Sequence, residues 1–433
     1  MSLKTLLMPV VTQHRFARGT LLAKRAKAEK ARLASGRPHQ VYYFHQVDDP
    51  YSHLLAQALP RFLARYNIEL KPHVVSPPPD SAAPEREKLV VYSRVDAALL
   101  AQHHGLNFND HGQQPGQVRC AQATHALVAA IECGQFLEHA SLLGNWLWAE
   151  DEMQVPPEEL NALKPVSSAD VKTHIAQTDT LREKLGHYLG GMLYYEGEWY
   201  WGIDRLYHLE QRLQELGAQR EGTIGLLFPS DDGLLKAKPL DNPPDIEFFF
   251  SFRSPYSAIV APRIFELGQR TGAKVNLRFV LPMVMRGLPV PKVKREYIVH
   301  DTAREAYARG ISFGRLNDPV GKPTERGLAL IPFAEQHSKG QEFVLSYMQG
   351  VWAEGIDAGS DKGLRKIVER AGLRWEGAQV ALLHEAWRER AAANREELFA
   401  AGLWGVPSFK VGNTMVWGQD RLWAVLSALK ANT

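Results

Sequence analysis

A chain of 433 residues is long enough for two or three domains. With 45% hydrophobic and 23% charged residues it has the make-up of an ordinary soluble globular protein, and no apolar run approaches the ~18 residues that would span a bilayer. A net charge of +3 is too small to argue for nucleic acid. Two cysteines, Cys120 and Cys133, are too few for a disulfide framework or a cysteine-rich zinc site, so half-buried thiols in a cytoplasmic protein are expected.

Residues 1–40 carry Lys4, Arg15, Arg18, Lys24, Arg25, Lys27, Lys30, Arg32 and Arg37 against the single acid Glu29. "LLMPVV" is too short and too polar-flanked for a signal segment. This stretch reads as a basic, mostly helical arm resting on the body; the alternative is a membrane-surface or nucleic-acid contact. From 41 a near-continuous apolar strand, "VYYFHQV", suits a parallel strand buried on both faces. A helix entered at Pro50 follows, with proline in the first helical turn. A second strand, "IELKPHVV", precedes a long, mostly helical insert. "AQHHGLNF" ends a helix at His103 and His104. Two short strands in "MLYYEGEWYW" form a hairpin, and a last helix is expected to start on Asp204 as N-cap. Residues 217–244 hold "FPSDDG" and "LDNPPD" and read as a linker.

The same order then returns. At an offset of 205 residues, Phe44, Pro50, Tyr51, Ser52, Ala56, Arg65, Val75, Pro77, Pro84, Tyr92, Asp96, Ala98, Ala101, Gly105 and Phe108 each meet an identical residue. At 216, "YWGIDRL" (200–206) falls on "VWGQDRL" (416–422), with Asp420 as the second expected N-cap. Residues 41–216 and 245–433 therefore read as two homologous α/β domains in tandem.

The first strand-to-helix turn of the second domain is "SFRSPYS", residues 251–257. Ser254 precedes Pro255, where free N–H groups and the helix dipole favour an anion. A hydroxyl there can donate a hydrogen bond to a thiolate and lower its pKa, or simply cap the helix. Ser257, in the first helical turn, reads as a packing or capping residue. The twin turn is "QVDDPYS", with Asp49 in place of Ser254, and Gly191 stands in place of Pro407. A carboxylate at Asp49 suits a helix N-terminus but would repel a thiolate. The first domain reads as a scaffold without thiol chemistry; the minority reading is acid–base work by Asp49 and His45. No spacing of His and carboxylate resembles a metal site.

"FFFSFRSPYSA", "REYIVHDTAREAYARGISF" (295–313), "GVPSF" (405–409) and "WGQDRL" (417–422) resemble the thioredoxin-fold family with a helical insertion, the DsbA-like family. Within it they resemble the branch of 2-hydroxychromene-2-carboxylate isomerases and kappa-class glutathione transferases. The resemblance implies two tandem thioredoxin-like domains, each with an inserted helical subdomain, the first degenerate and the second with the better-preserved site. It implies glutathione as cofactor and a small aromatic or electrophilic substrate, for isomerase or transferase chemistry. It gives Ser254 the thiolate, the backbone of Val406 beside a cis-Pro407 the cysteinyl part, and Gln419 and Asp420 the γ-glutamyl end. The branch often has an Asn in the loop before the insert; here "PMVMRGLPVPKVKREY" has none and offers Arg286, Lys292, Lys294 and Arg295 instead. Those cations could hold a carboxylate or form a solvated basic loop.

Two rival functions stand beside this one. A non-catalytic binding or scaffold protein is compatible with the fold. A disulfide oxidoreductase is disfavoured, because neither turn has a cysteine. Members of the branch are generally homodimers, and the tandem could imitate such a dimer within one chain, whether monomer or homodimer.

Overall fold

The computed structural model describes residues 3–150, 155–159 and 163–433; the side chain of Lys4 lies outside the described part. Two compact units divide the chain: residues 24–230 form the N-terminal unit, and residues 231–433 with 1–23 form the C-terminal unit. The basic arm is two helices, α1 (Leu3–Phe16) and α2 (Arg18–Ala34). Helix α1 packs into the C-terminal unit. Thr12 Oγ1 accepts the Leu316 N–H at 2.9 Å, and the Phe16 ring meets His300 edge-on at 4.9 Å. Beyond residue 23, α2 belongs to the N-terminal unit, where Arg25 makes a two-pronged bond to Glu198 at 2.7 and 2.8 Å.

The N-terminal unit continues through β1 (Gln40–His45), α3 (Pro50–Arg65), β2 (Glu69–Val74), α4 (Arg86–His104), α5 (Gln117–Glu132), α6 (Phe136–Leu147), α7 (Ser168–Lys184), β3 (Met192–Tyr195), β4 (Glu198–Trp201) and α8 (Leu206–Glu215). Its sheet runs β2-β1-β3-β4; β1 and β2 are parallel, and β3 and β4 are antiparallel to their neighbours. The parallel pair requires a crossover, and α3 supplies it. Strand β1 is central, and Val41, Tyr43 and Phe44 are fully buried, as its apolar run predicts. Helix α4 ends on His104, with Gly105 at φ +64 as its cap.

The C-terminal unit has β5 (Ile246–Phe250), α9 (Pro255–Thr271), β6 (Val275–Phe279), α10 (Lys292–Ala308), α11 (Lys322–Gln336), α12 (Gly340–Trp352), α13 (Asp361–Arg370), α14 (Trp375–Ala381), α15 (Trp387–Ala400), β7 (Ser408–Val411), β8 (Thr414–Trp417) and α16 (Leu422–Ala431). The sheet order is β6-β5-β7-β8, the same arrangement in the same chain order. Phe248, Phe249, Phe250 and Phe252 are fully buried. Phe248 stacks on Phe409 across the β5–β7 pair at 5.4 Å, and Phe252 stacks on Tyr347 of the helical insert at 3.9 Å. Each such ring withdraws enough apolar surface to contribute roughly 2–3 kcal/mol. These contacts tie the insert to the sheet directly behind the turn that carries Ser254.

Two local expectations need correction. Asp204 and Asp420 are not the N-caps of the last helices: the cap positions are Arg205 and Arg421, one residue later. In the N-terminal unit a short 3-10 turn, Ile203–Arg205, comes before α8 and takes up the aspartate. Cys133 is exposed, because it caps the C-terminal end of α5 rather than sitting on its packed face. Cys120 is half-buried, and burial pushes its thiol up to about 11. Among the described residues no helix is long and apolar enough to cross a membrane.

Candidate functional site

Ser254 lies at the C-terminal end of the central strand β5, where the chain turns into α9. Its backbone is extended, with φ −88 and ψ 113, and Pro255 occupies the first helical turn. The Ser254 Oγ accepts the Ser257 N–H at 3.1 Å and donates to the carbonyl of Val406 at 3.2 Å. It is thus a helix cap and also a link to a loop 152 residues further along the chain. The sheet explains the meeting: β7 runs antiparallel beside β5, with Ser408 opposite Phe249, so the residues entering β7 arrive next to the end of β5.

The Val406–Pro407 peptide is cis. Its loop is tightly wedged. A Cβ on Gly405 would lie 2.3 Å from the Trp417 ring, so only glycine fits there. The Gly418 N–H donates to the Pro407 carbonyl at 3.0 Å and joins the loop to the end of β8. Ser257 is fully buried, and its Oγ has no hydrogen-bond partner among the described residues.

Gln419 is 1% exposed. Its Nε2 donates to Glu305 Oε2 at 2.6 Å, and its Oε1 accepts from Arg263 Nη1 at 2.8 Å. Arg263 also reaches the Gln419 carbonyl at 3.1 Å and Asp232 at 3.3 Å, while Glu305 is bridged by Arg309 at 2.9 Å. Burial, with Arg309 adding to it, lowers the Arg263 guanidinium to about 10. Both ends of the Gln419 amide are therefore engaged in a buried network that joins α9, α10 and the turn before α16. Asp420 is half-buried, with Arg421 Nη1 3.3 Å from its carboxylate.

Of the four cations of the basic loop, Arg286 reaches the wedged loop: it donates to the Trp404 carbonyl at 3.3 Å and lies over the Phe399 ring at 5.7 Å. Lys292, Lys294 and Arg295 occupy the first turn of α10. Burial lowers the Lys294 ammonium to about 8. A cation that sequence reasoning passed over is Arg253, next to Ser254 and held by both oxygens of Asp318 at 2.8 and 2.9 Å.

The N-terminal unit offers an internal comparison. Asp49 caps α3 at the position Ser254 takes on α9. Its Oδ2 accepts from the Ser52 N–H at 2.9 Å and from Ser52 Oγ at 2.7 Å, and Oδ1 from the Tyr51 N–H at 3.4 Å. Gly191, at φ +61, lies against this carboxylate: a Cβ there would be 3.0 Å from Oδ2. Burial pushes the Asp49 carboxyl up to about 6 against the Ser52 hydrogen bonds, and neighbouring Asp48 pushes the same way. His45 turns elsewhere, with Nδ1 2.8 Å from the Tyr43 hydroxyl, and burial lowers it to about 3. One feature is shared outright. Tyr51 donates to Asp96 and Tyr256 donates to Asp301, each at 2.8 Å, between the first helix and the insert of each unit. Both residues of the pair recur at the 205-residue offset, and that recurrence was the signal available in the sequence.

Residues 245–430 match the DSBA-like thioredoxin domain model. The chain is similar to the 2-hydroxychromene-2-carboxylate isomerase of Pseudomonas putida, 24% identical over 192 residues, which are 42% of this chain and 93% of the relative. It is similar to the enzyme of that name from Sphingobium xenophagum, 25% identical over 191 residues, 41% of this chain and 93% of the relative. Among solved structures, a 2-hydroxychromene-2-carboxylate isomerase aligns with a TM-score of 0.38 at 24% identity, over 43% of this chain and 94% of the other. The cytosolic disulfide reductase DsbM from Pseudomonas aeruginosa with GSH aligns with a TM-score of 0.32 at 17% identity, over 43% and 99%. The segment that matches the DSBA-like thioredoxin domain model is thus the one that holds Ser254, the Val406–Pro407 loop and the Gln419 turn.

Proposed function

We propose that the C-terminal domain binds glutathione as its thiolate at Ser254 and acts as a glutathione-dependent isomerase or transferase on a small aromatic or electrophilic substrate. The observation that carries this reading is the contrast between the two helix caps. In the N-terminal unit the amides of Tyr51 and Ser52 and the Ser52 hydroxyl surround a built-in carboxylate, Asp49. In the C-terminal unit a neutral serine stands at that position, and the hydroxyl of Ser257, the counterpart of Ser52, is buried with no hydrogen-bond partner among the described residues. A helix N-terminus whose cap carries no charge of its own suits an anion brought from outside. The local charge favours it further: the carboxylate of Asp48 is replaced by the guanidinium of Arg253, although Asp318 offsets part of that charge.

Bound there, glutathione supplies a thiolate nucleophile for an electron-poor carbon of the substrate. Ser254 turns its Oγ–H from the Val406 carbonyl to the sulfur and holds it deprotonated. The freed Val406 carbonyl, beside Pro407, accepts from the peptide N–H of the ligand. Asp420 takes the γ-glutamyl ammonium, and Gln419 fixes the turn from below through Arg263 and Glu305. Arg286, already at the wedged loop, serves a carboxylate of ligand or substrate.

A second reading, a non-catalytic binding protein on the same scaffold, is favoured by the commitment of the Gln419 amide to internal partners. A titration of glutathione into wild type and Ser254→Ala separates the two. Saturation at millimolar glutathione, with a thiol more acidic in wild type than in the variant, supports the enzyme reading. Absence of binding removes it. We also propose that the two units arose from one duplicated domain; their shared sheet order and Tyr–Asp pairs support this.

A further inference from the structure

The cations of the basic arm fall into two sets. Four arginines are paired with acids: Arg15 with Glu296 at 3.0 Å, Arg25 with Glu198 at 2.7 Å, Arg32 with Glu29 at 2.6 Å and Arg37 with Glu196 at 2.9 Å. Arg18, Lys24, Lys27 and Lys30 are exposed, and none of their side chains has an ion pair or hydrogen bond among the described residues. On α2 these lysines recur at every third residue of the outward face. Leu22, Ala26 and Leu33, also exposed, form a strip along one edge of that face. The acid of this helix, Glu29, is already tied to Arg32. Helix α1 docks by Pro9, Thr12 and Phe16, which are buried, yet Leu7, Val10 and Val11 stand outward. Leu7, Val10, Val11, Leu22 and Leu33 are each 43–63% exposed. They are five of the fourteen large apolar side chains exposed among the described residues, all within the first 33 positions.

Free cations beside outward aliphatic chains limit what can cover this arm. A second copy of it would set like charge against like, since residues 1–40 hold nine cations and one acid. A nucleic acid would satisfy the cations, but its phosphate backbone offers nothing to leucine and valine. An anionic lipid surface matches both properties. Its headgroup phosphates take the lysines, and the boundary between headgroups and acyl chains takes the aliphatic groups. Lysine suits that boundary, because its stem lies along apolar surface while its ammonium stays in the headgroup layer. The charge balance orients the chain as well. The net charge is only +3 although the arm alone is strongly basic, so the rest of the chain is net negative and is repelled by the same surface.

We propose that the arm is a peripheral membrane contact: it holds the chain to an anionic lipid surface through Arg18, Lys24, Lys27 and Lys30, with the outward leucines and valines in the headgroup layer. The inference does not rest on the glutathione reading, since no arm residue lies in the segment 245–430 that carries Ser254. The test is co-sedimentation of the full-length protein with vesicles of phosphatidylcholine alone and of phosphatidylcholine mixed with phosphatidylglycerol. Wild type binds the mixed vesicles and not the neutral ones, and high salt releases it. A cation near an anionic surface is worth about fivefold in affinity, so Lys24→Gln, Lys27→Gln and Lys30→Gln combined weaken binding about a hundredfold. Leu22→Ser with Leu33→Ser, and separately Val10→Ser with Val11→Ser, weaken it about three- to tenfold. Lys362→Gln with Lys366→Gln, exposed lysines of α13, leaves it unchanged. Circular dichroism verifies that each variant is folded. Should a serine variant fail to fold, the lysine triple, made on exposed side chains, carries the same reading. Equal binding to both vesicles, no binding to either, or binding untouched by the lysine triple overturns the proposal. So does an arm that shifts RNA or duplex DNA in a gel, or that pairs two copies of the chain, while ignoring the mixed vesicles.

Discussion

Asp49 offers a quantitative check on the helix-cap comparison. Its carboxyl is pushed from an ordinary 3.8 to about 6, chiefly by burial. A folded-state pKa raised above the unfolded one means that folding favours the protonated form. The resulting stability is fully present below about pH 4 and is lost as pH rises through about 6. Two pKa units correspond to roughly 3 kcal/mol at most, and the partial exposure of Asp49 reduces this to about 1–2 kcal/mol. Asn caps a helix as well as Asp and does not titrate. Urea unfolding of wild type and Asp49→Asn should therefore give similar stabilities at pH 4. At pH 7 the variant should be ahead by about 1–2 kcal/mol. A chain of two units need not unfold in one step, so the difference is read on the transition that moves. A gap of the same size at both pH values, or a variant less stable than wild type at pH 7, would refute the reasoning.

Other consequences follow from the buried polar contacts. Gln419→Ala strips a donor from Glu305 and an acceptor from Arg263 in a buried network, so it should cost about 2–4 kcal/mol in thermal or urea unfolding. Glutathione affinity of the folded variant should change by no more than a few-fold, whereas a large loss of affinity without loss of stability would make Gln419 a ligand contact. Tyr256→Phe and Tyr51→Phe each remove one donor from a buried aspartate, and each should destabilise by about 1–2 kcal/mol. A neutral outcome for either would mean that the Tyr–Asp pair does not support the junction of first helix and insert.

Much of this architecture was written in local sequence. The apolar runs "VYYFH" and "IEFFF" gave the central strands, and the 205-residue offset aligned Asp49 with Ser254 as caps of corresponding helices. What local sequence could not carry was contact across the sheet. Ser254 meets Val406 only because β7 returns beside β5. The burial of Gln419 depends on Arg263 and Glu305, residues of α9 and α10 that the WGQDRL motif does not contain. Asp204 and Asp420 looked like caps because Asp is a good cap, but the short turn ahead of α8 moves the cap to the following arginine.

The central claim is that Ser254 holds a thiolate. The most direct measurement is the pKa of the thiol of bound glutathione, followed through the ultraviolet absorbance of its thiolate as pH is raised. One hydrogen bond to a charged sulfur is worth about 1.5–3 kcal/mol. The account therefore predicts a thiol in wild type about 1–2 units below the ordinary value near 8.5, and a return of about one unit or more in Ser254→Ala. A bound thiol that titrates near 8.5 in both proteins would contradict it.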